Sequence, residues 1–327
     1  MASRFWVLGT GTWDASDTTH WAASSGGAPL ASVPGTGDTV TFDGSSGGGT
    51  VTVNATISIL SLNMSAFTGT LDFSANNNNV TLTPGAFSDA LTSTGTATRT
   101  LNMGSGTWML ATGNNSSINA INFATSTNFT LSAASSTIQI TGNTTGIRTL
   151  NLGTSLSFGT ITIGANTQQV GITITGVTPT IATLNPQAGT PIRFVNNNTY
   201  TITNAINWTG SSSLPILVMS SQAASKATIS SANNGTFDYC VFNEIAFAGG
   251  GNMTATNSFD CGRNSISGGG TLSITPPTGG SGGGSPTGAR AGCSTGRGTA
   301  GCWWSGSRGS ARRSIGCEPT GRSTISK

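Results

Sequence analysis

The chain has 327 residues, of which only 7% carry a formal charge, and its apolar content is 35%. Low apolar content is typical of disorder when net charge is high, but here the net charge is only +3 and β-branched residues recur throughout. The composition therefore favours ordered β structure and argues against an enzyme with a tuned acid–base pocket. The basic excess lies in residues 288–327, so residues 1–287, which are weakly acidic, give no sign of nucleic-acid binding.

The amino terminus has an apolar run, Phe5–Leu8, that is far too short for a signal peptide. No stretch approaches the roughly 18 apolar residues that a membrane span needs. We therefore expect a chain made in the cytoplasm, without an export address and without membrane insertion.

Three tryptophans, Trp6, Trp13 and Trp21, stand in an amino-terminal segment otherwise rich in glycine and serine. Large aromatic side chains can cover the open end of a stack of β-coils, whose first strands would otherwise invite edge pairing. We predict this capping role for them and assign residues 1–45 to an N-terminal cap module. A platform on which sugars stack is the functional alternative.

The body, residues 46–275, together with the end of the cap module, is a succession of short strand-like runs. Most alternate an apolar residue with Thr, Ser or Asn, which is the period of a half-buried strand. No amphipathic helix is evident. The runs are Val40–Phe42, Thr50–Val53, Ile57–Leu62, Thr70–Phe73, Val80–Thr83, Thr100–Met103, Thr107–Leu110, Ala120–Phe123, Phe129–Leu131, Thr137–Thr141, Thr149–Leu152, Leu156–Ile163, Ile172–Thr175, Tyr200–Ile202 and Leu217–Met219.

An imperfect internal repeat, Ser/Thr-Leu-Asn, runs through the body. Its longest match, between Thr98–Gly104 and Ile147–Gly153, would suit two turns of a solenoid with about 20–30 residues per coil. Asparagines at equivalent positions of stacked coils could form a side-chain amide ladder. The candidates are Asn63, Asn102, Asn122, Asn151, Asn185 and Asn207. We predict an all-β fold, a parallel β-helix or solenoid; a β-sandwich with chance matches is the alternative.

The carboxyl-terminal segment, residues 276–327, departs from this pattern. Pro276-Pro277 leads into a Gly-rich linker, after which Arg, Gly, Ser and Cys dominate. We predict a disordered tail; a basic arm that binds an acidic surface is the functional alternative. The abrupt change also resembles an out-of-frame reading of GC-rich DNA, so the sequence leaves open whether residues 288–327 are a genuine in-frame segment.

The five cysteines form no CxxC pattern, and His20 is the only histidine. This excludes the usual zinc spacings, and the carboxylates are too sparse for a repeated calcium site. We expect no metal and no cofactor, no disulfide framework, and a Cys240 that packs as a small apolar residue.

Two segments carry a family resemblance. Gly11-Thr12-Trp13-Asp14, Thr19-His20-Trp21 and Val33–Phe42 resemble the opening module of phage and bacterial β-helix structural proteins, where "GTWD…W…VP…GDTVTF" precedes the first coils. Related patterns occur in autotransporter-associated β-strand repeats. Phe237–Phe242 and Thr256–Asn264 resemble the last coil of such phage proteins, although Cys240 and Cys261 replace the residues more common there. The resemblance implies a virion or surface-associated β-helix and brings no catalytic residues.

Catalysis would require carboxylates placed for glycan cleavage, because β-helices of tailspikes and lyases often cleave glycans. Glycoside hydrolysis needs two carboxylates about 5–10 Å apart. The pairs Asp14/Asp17 and Asp38/Asp43 lie in turn-like segments, and residues 90–237 contain no acid at all. No G-x-S-x-G, HExxH or phosphate-binding loop of the required type is present. We therefore expect a non-enzyme without catalytic residues.

The function predicted from these observations is that of a phage virion structural protein, a tail-fibre- or spike-like or capsid-surface element. It would present a rigid β face to host-surface glycans through weak polyvalent contacts. The expected partners are other virion proteins, a host glycan and further copies of the chain, with a trimer as one option. A bacterial surface adhesin or autotransporter-like passenger is the first alternative, and a glycan depolymerase is the second.

Overall fold

The computed structural model describes residues 1–84, 89–111, 119–141, 148–164 and 171–277, and beyond these the backbone of four short strands. Strands account for 51% of the chain and helices for 1%, so backbone ladders between strands hold the fold. The chain winds repeatedly around three faces, and each face is a stack of strands contributed by successive coils.

Faces 1 and 2 are the two long sheets. Face 1 contains β1 (Ser3–Trp6), β4 (Thr39–Thr41), β7 (Ser61–Asn63), β10 (Leu91–Thr92), β13 (Asn119–Asn122), β15 (Arg148–Thr154), β17 (Ile172–Val177), β19 (Pro191–Phe194), β22 (Ile216–Ser220), β25 (Cys240–Asn243) and β28 (Phe259–Asp260), with β3 (Trp21–Ala22) on its outer edge. Face 2 contains β2 (Gly11–Trp13), β5 (Thr50–Val53), β8 (Thr70–Asp72), β11 (Arg99–Asn102), β14 (Phe129–Thr141), β16 (Ser157–Ile163), β18 (Thr180–Pro186), β20 (Thr199–Ile202), β23 (Ala227–Ser230), β26 (Ile245–Ala248) and β29 (Ser265–Ile266).

Face 3 shares three long strands with face 2. It contains β6 (Ile57–Ile59), β9 (Val80–Leu82), β12 (Thr107–Ala111), the second halves of β14, β16 and β18, then β21 (Ile206–Thr209), β24 (Gly235–Asp238), β27 (Met253–Thr256) and β30 (Leu272–Ile274). A 3₁₀ turn, Gly44–Ser46, lies between β4 and β5. Outside the solenoid, β31 (Arg290–Gly296) pairs antiparallel with β32 (Thr299–Ser305), and β33 (Ser314–Ile315) with β34 (Ile325–Ser326).

Strand pairing on the three faces is parallel, with the antiparallel pair β1–β3 as the exception at the amino-terminal edge. The prediction of an all-β parallel solenoid is confirmed, and the β-sandwich alternative is wrong. In this parallel stack each coil presents its apolar residues to the same interior as the coil before it.

The core consists of inward columns of apolar side chains that run from coil to coil. On face 1, one column contains Leu62, Leu91, Ile121, Leu150 and Ile174, each paired with the next and each buried. Burying such a side chain stabilises the fold by about 1.5–3 kcal/mol. The solenoid therefore gains stability one layer at a time.

The longest match of the sequence repeat does not mark equivalent positions in the coils. Thr98–Gly104 contributes β11 on face 2, whereas Ile147–Gly153 contributes β15 on face 1. The interpretation of this match as two turns is therefore wrong. Paired strand residues in adjacent coils are offset by 36 and 40 residues between the first two coils and by 18 to 30 residues after that, as in Ser3–Thr39, Gly11–Val51 and Val241–Phe259. Because corner loops differ in length, register rather than sequence distance fixes equivalence.

The corner between faces 1 and 2 is turned by one residue with left-handed backbone in each of seven successive coils. These residues have φ between 51° and 64° and are Asn128, Ser155, Thr178, Asn197, Ala224, Glu244 and Arg263. Asn tolerates this conformation, whereas Ala and Thr pay a steric cost of about 1–2 kcal/mol. The left-handed corner is therefore a regular feature of the fold, although several of the residues that occupy it do not favour this conformation.

We predict that Ala224→Gly stabilises the protein by about 1 kcal/mol, because Ala224 is exposed at φ 64° and glycine adopts this conformation without strain. The matched control is Ala246→Gly in strand β26, which should lose about 0.5–1 kcal/mol. Urea denaturation of the two variants checks both signs. A loss of stability in Ala224→Gly would contradict the corner argument.

Candidate binding face

Face 3 carries a column of outward threonines. Thr107 pairs with Thr137, Thr137 with Thr160, and Thr160 with Thr183, so four consecutive coils place a threonine at the same position. Neighbouring parallel strands lie about 4.8 Å apart. The column therefore presents a hydroxyl and a methyl group at a regular interval along the solenoid axis.

Outward columns also run through the carboxyl-terminal coils. Trp208 Nε1 donates to the Leu184 carbonyl oxygen at 2.6 Å, which stacks β21 on β18. The outward residues that follow pair in order as Asn207, Thr236, Thr254 and Ser273, all exposed. Asn207 Oδ1 accepts a hydrogen bond from Thr236 Oγ1 at 2.6 Å, which ties two coils together on the surface.

A second outward column lies two residues further along each strand. It contains Met109, Gln139, Thr162 and Asn185, which pair in order from β12 to β18, and Thr209, Asp238 and Thr256, which pair in order from β21 to β27. We refer to the two columns together, from β12 to β30, as the hydroxyl face. Rows on one strand are separated by about 6.6–6.8 Å, so the hydroxyl face offers a two-dimensional array of small polar groups.

Asp238 is the one formally charged residue among the described residues of the hydroxyl face. Its carboxylate accepts hydrogen bonds from Thr256 Oγ1 at 3.1 Å and Asn257 Nδ2 at 2.8 Å. The array is therefore nearly neutral, and it suits ligands that are recognised by hydroxyl and amide hydrogen bonds together with apolar contact.

Glycan cleavage would need free carboxylates, but most carboxylates of residues 1–275 accept hydrogen bonds that close turns. Asp14 Oδ1 accepts from the amides of Ser16 and Asp17, both at 2.7 Å, and these hydrogen bonds lower the pKa of Asp14. The pKa of Asp17 is lowered chiefly by the hydroxyl and amide of Thr19. The remaining acids also engage backbone amides or side chains: Asp38, Asp43, Asp72, Asp89, Asp238, Asp260 and Glu244. A general acid needs a raised pKa, and turn closure has the opposite effect at Asp14 and Asp17.

Glu244 is the one buried carboxylate among the described residues, and it lies in the left-handed corner column. Its Oε1 accepts from the Ala224 amide at 3.0 Å and lies 3.0 Å from Arg263 Nε. Removing one partner of such a pair leaves a buried charge. Glu244 therefore ties the last coil to the two before it.

The three predicted cap tryptophans come together at the amino-terminal end. Trp21 packs edge-on against Trp6 and Trp13, with ring centroids 5.1 and 5.0 Å apart. His20 stacks on Trp6 at 4.6 Å, and Phe42 lies beneath the cluster. All three indoles are at most 1% exposed, so no indole face is open for a sugar to stack on.

The six predicted ladder asparagines do not share one column. Asn63, Asn122 and Asn151 lie in a column of face 1, where Asn122 pairs directly with Asn151. Each Oδ1 accepts from the amide two residues on, in Ser65, Ala124 and Gly153, and so terminates its strand. Asn102 lies on face 2, while Asn185 and Asn207 lie on face 3. These hydrogen bonds show turn closure on face 1 rather than an amide ladder.

Cys240 is a free, fully buried thiol whose Sγ approaches the carbonyl oxygens of Trp208 and Asp238. Burial, assisted by the charge of Asp238, raises the pKa of Cys240 to about 12. Cys261 in the last coil is disulfide-bonded, which the wide spacing of the cysteines did not predict.

The sequence predicted strands with alternating apolar and polar residues, but it did not predict that the polar residues of successive coils align into the hydroxyl face. Thr160-Ile161-Thr162 shows the pattern locally, yet only the register shows that its threonines continue those of β14 and β18. Within the described residues, no group of three His, Cys, Asp or Glu side chains could hold a metal ion, and no helix could cross a bilayer.

Comparison with known proteins finds no matching family model, no matching curated protein and no matching solved structure.

Proposed function

We propose that this protein is a non-enzymatic virion structural protein, a spike-, fibre- or capsid-surface element that attaches particles to a neutral glycan of the host envelope. The observation that carries the proposal is the hydroxyl face, a nearly uncharged array of threonine and asparagine side chains that extends from β12 to β30. The resemblance of residues 5–42 to the opening module of phage β-helix proteins supports placing it in a virion.

A rigid array suits this task because each contact is weak. A sugar hydroxyl that hydrogen-bonds to Thr209 or Thr236 exchanges a hydrogen bond to water for one to the protein, which yields about 0.5–1.5 kcal/mol. Repetition along the face, and many copies per particle, convert such contacts into firm attachment. The solenoid also holds the side chains in place beforehand, so little entropy is lost on binding.

The test is binding of the full chain to an immobilised panel of neutral bacterial polysaccharides. Asn185→Arg places a bulky charge on an exposed position of the hydroxyl face, and we expect it to weaken the apparent affinity at least about tenfold. Thr130→Arg, at an exposed position of face 2, is the matched control and should bind like the wild type. Equal effects of the two variants would overturn the assignment of the face.

Two further measurements address the remaining parts of the proposal. The polysaccharides should keep their chain length during incubation, since shortening would show a depolymerase. Mass spectrometry of purified particles should detect this polypeptide, and its absence would favour the surface adhesin instead.

A further inference from the structure

The two ends of the solenoid are finished differently. At the amino-terminal end, β3 pairs antiparallel with β1 and covers the edge of face 1, and the aromatic cluster beneath it is buried. At the carboxyl-terminal end, among the strands that the structure describes, β28, β29 and β30 pair only with the preceding β25, β26 and β27. No described strand covers their outer edges, and proteins ordinarily cover such edges.

The interior of the last coil is also incompletely covered. Leu272 and Ile274 occupy the same inward columns as Met253 and Ala255, and Ile266 follows Phe247. The residues of the preceding coil are fully buried, whereas Ile266, Leu272 and Ile274 are only half-buried and pack against the edge of the core. We call these three open strands with their half-buried side chains the open end.

The segment best placed to cover the open end is the part of the chain that follows it, residues 278–327. The chain leaves β30 and reaches Pro277 directly beside the open end, with 50 residues still to follow. Residues 288–327 contain seven basic side chains and one acidic side chain, whereas residues 1–287 contain six basic and nine acidic side chains, and the last coil exposes both Asp260 and Arg263. Trp303 and Trp304 give this segment the aromatic bulk that the amino-terminal cap also uses.

The cysteines supply an independent observation. Cys261 lies in the last coil and is disulfide-bonded, while Cys240 is a free thiol. The other three cysteines, Cys293, Cys302 and Cys317, all lie in the carboxyl-terminal segment. The chain from Pro277 to Cys293 can span about 50 Å when extended, which is ample to return to Cys261.

We propose that residues 278–327 dock on the open end and are fastened there by a disulfide to Cys261. The bond forms when two thiols lose two protons and two electrons to a small-molecule disulfide, which is reduced to two thiols. The segment that composition marks as a disordered tail thereby acts as the second cap of the solenoid, and this inference does not depend on the proposed function.

The test is peptide mapping of the full chain, purified without reductant and alkylated before unfolding. We expect a peptide that contains Cys261 linked to one from residues 278–327 of the same chain, in a monomeric protein. A link between two copies, or a Cys261 thiol that alkylates in the folded protein, would overturn the proposal.

Amide hydrogen exchange tests whether the link accompanies docking. Reduction should accelerate exchange at least about tenfold in Phe259–Asp260, Ser265–Ile266 and Leu272–Ile274, while Ile216–Ser220 in β22 stays unchanged. In the variant Cys261→Ser the exchange should already be fast, and reduction should have no further effect. If the disulfide were mapped but its reduction left amide exchange in these strands unchanged, the segment would be linked to Cys261 without covering the open end, and the docking proposal would be wrong.

Discussion

Replacing Arg99 by methionine should lower the free energy of unfolding by about 3 kcal/mol, although this arginine touches no carboxylate in the described structure. Arg99 is 1% exposed. Its Nη2 donates to the carbonyl oxygens of Ser93 and Thr125 at 3.1 and 2.9 Å, and its Nη1 donates to that of Ala97 at 2.8 Å. Methionine fills similar space but leaves these carbonyls without a donor, and each unsatisfied buried group costs about 1–3 kcal/mol.

The geometry of the guanidinium, rather than its charge, is responsible for this effect. One planar group reaches carbonyls in two successive coils and also lies 4.9 Å above the Phe129 ring. Burial lowers the pKa of Arg99 and so offsets part of the gain. We therefore expect Arg99→Lys, which keeps the charge, to lose at least half as much stability as Arg99→Met.

Urea denaturation measures the loss, and hydrogen exchange should localise it to β10, β11 and β14, because each coil contacts only its neighbours. The matched control is Arg193→Met, at a half-exposed position on face 1, with an expected change below about 0.5 kcal/mol. An Arg99→Met variant as stable as the wild type would show that water satisfies these carbonyls.

Arg99 also shows which structural features could be predicted from the sequence alone and which could not. The alternation of apolar and polar residues predicted the strands, because it is a local periodicity. The parallel stacking was predicted from the Ser/Thr-Leu-Asn repeat and from the family resemblance. In Arg99-Thr100-Leu101-Asn102 the same alternation places the arginine on the inward face beside Leu101. Its burial is nevertheless unexpected, because a composition-based reading assigns charged residues to the surface.

The register of the coils could not be predicted for a related reason. Corner loops differ in length from coil to coil, so Thr98–Gly104 and Ile147–Gly153 look alike yet lie on different faces. Asn63 and Asn151 do share a column, but the Oδ1 atom of each accepts a hydrogen bond from the backbone amide two residues on, which closes the turn after the strand. What a polar side chain does in this fold depends on which strand end it occupies, and that is set by packing of the core rather than by the motif.

The amino-terminal cap provides the other large effect. An uncapped coil presents unpaired strand edges and an apolar interior, and either would promote association between copies. Trp21 lies at the centre of the cap, because β3 covers β1 while the indole of Trp21 contacts both Trp6 and Trp13. Its Nε1 has no hydrogen-bond partner in the described part of the chain, whereas Trp6 Nε1 donates to the Gly9 carbonyl oxygen at 2.7 Å.

Trp21→Ala should therefore cost about 3–5 kcal/mol through the cavity it leaves, with rapid exchange of the β1 and β2 amides and association at high concentration. Trp21→Phe should lose much less, since it sacrifices no hydrogen bond, while Trp6→Phe should lose about 1 kcal/mol more than Trp21→Phe because the Gly9 carbonyl loses its donor. Denaturation and light scattering on the three variants measure this order. A Trp21→Ala variant as stable and as monomeric as the wild type would show that Trp21 does not hold the cap together.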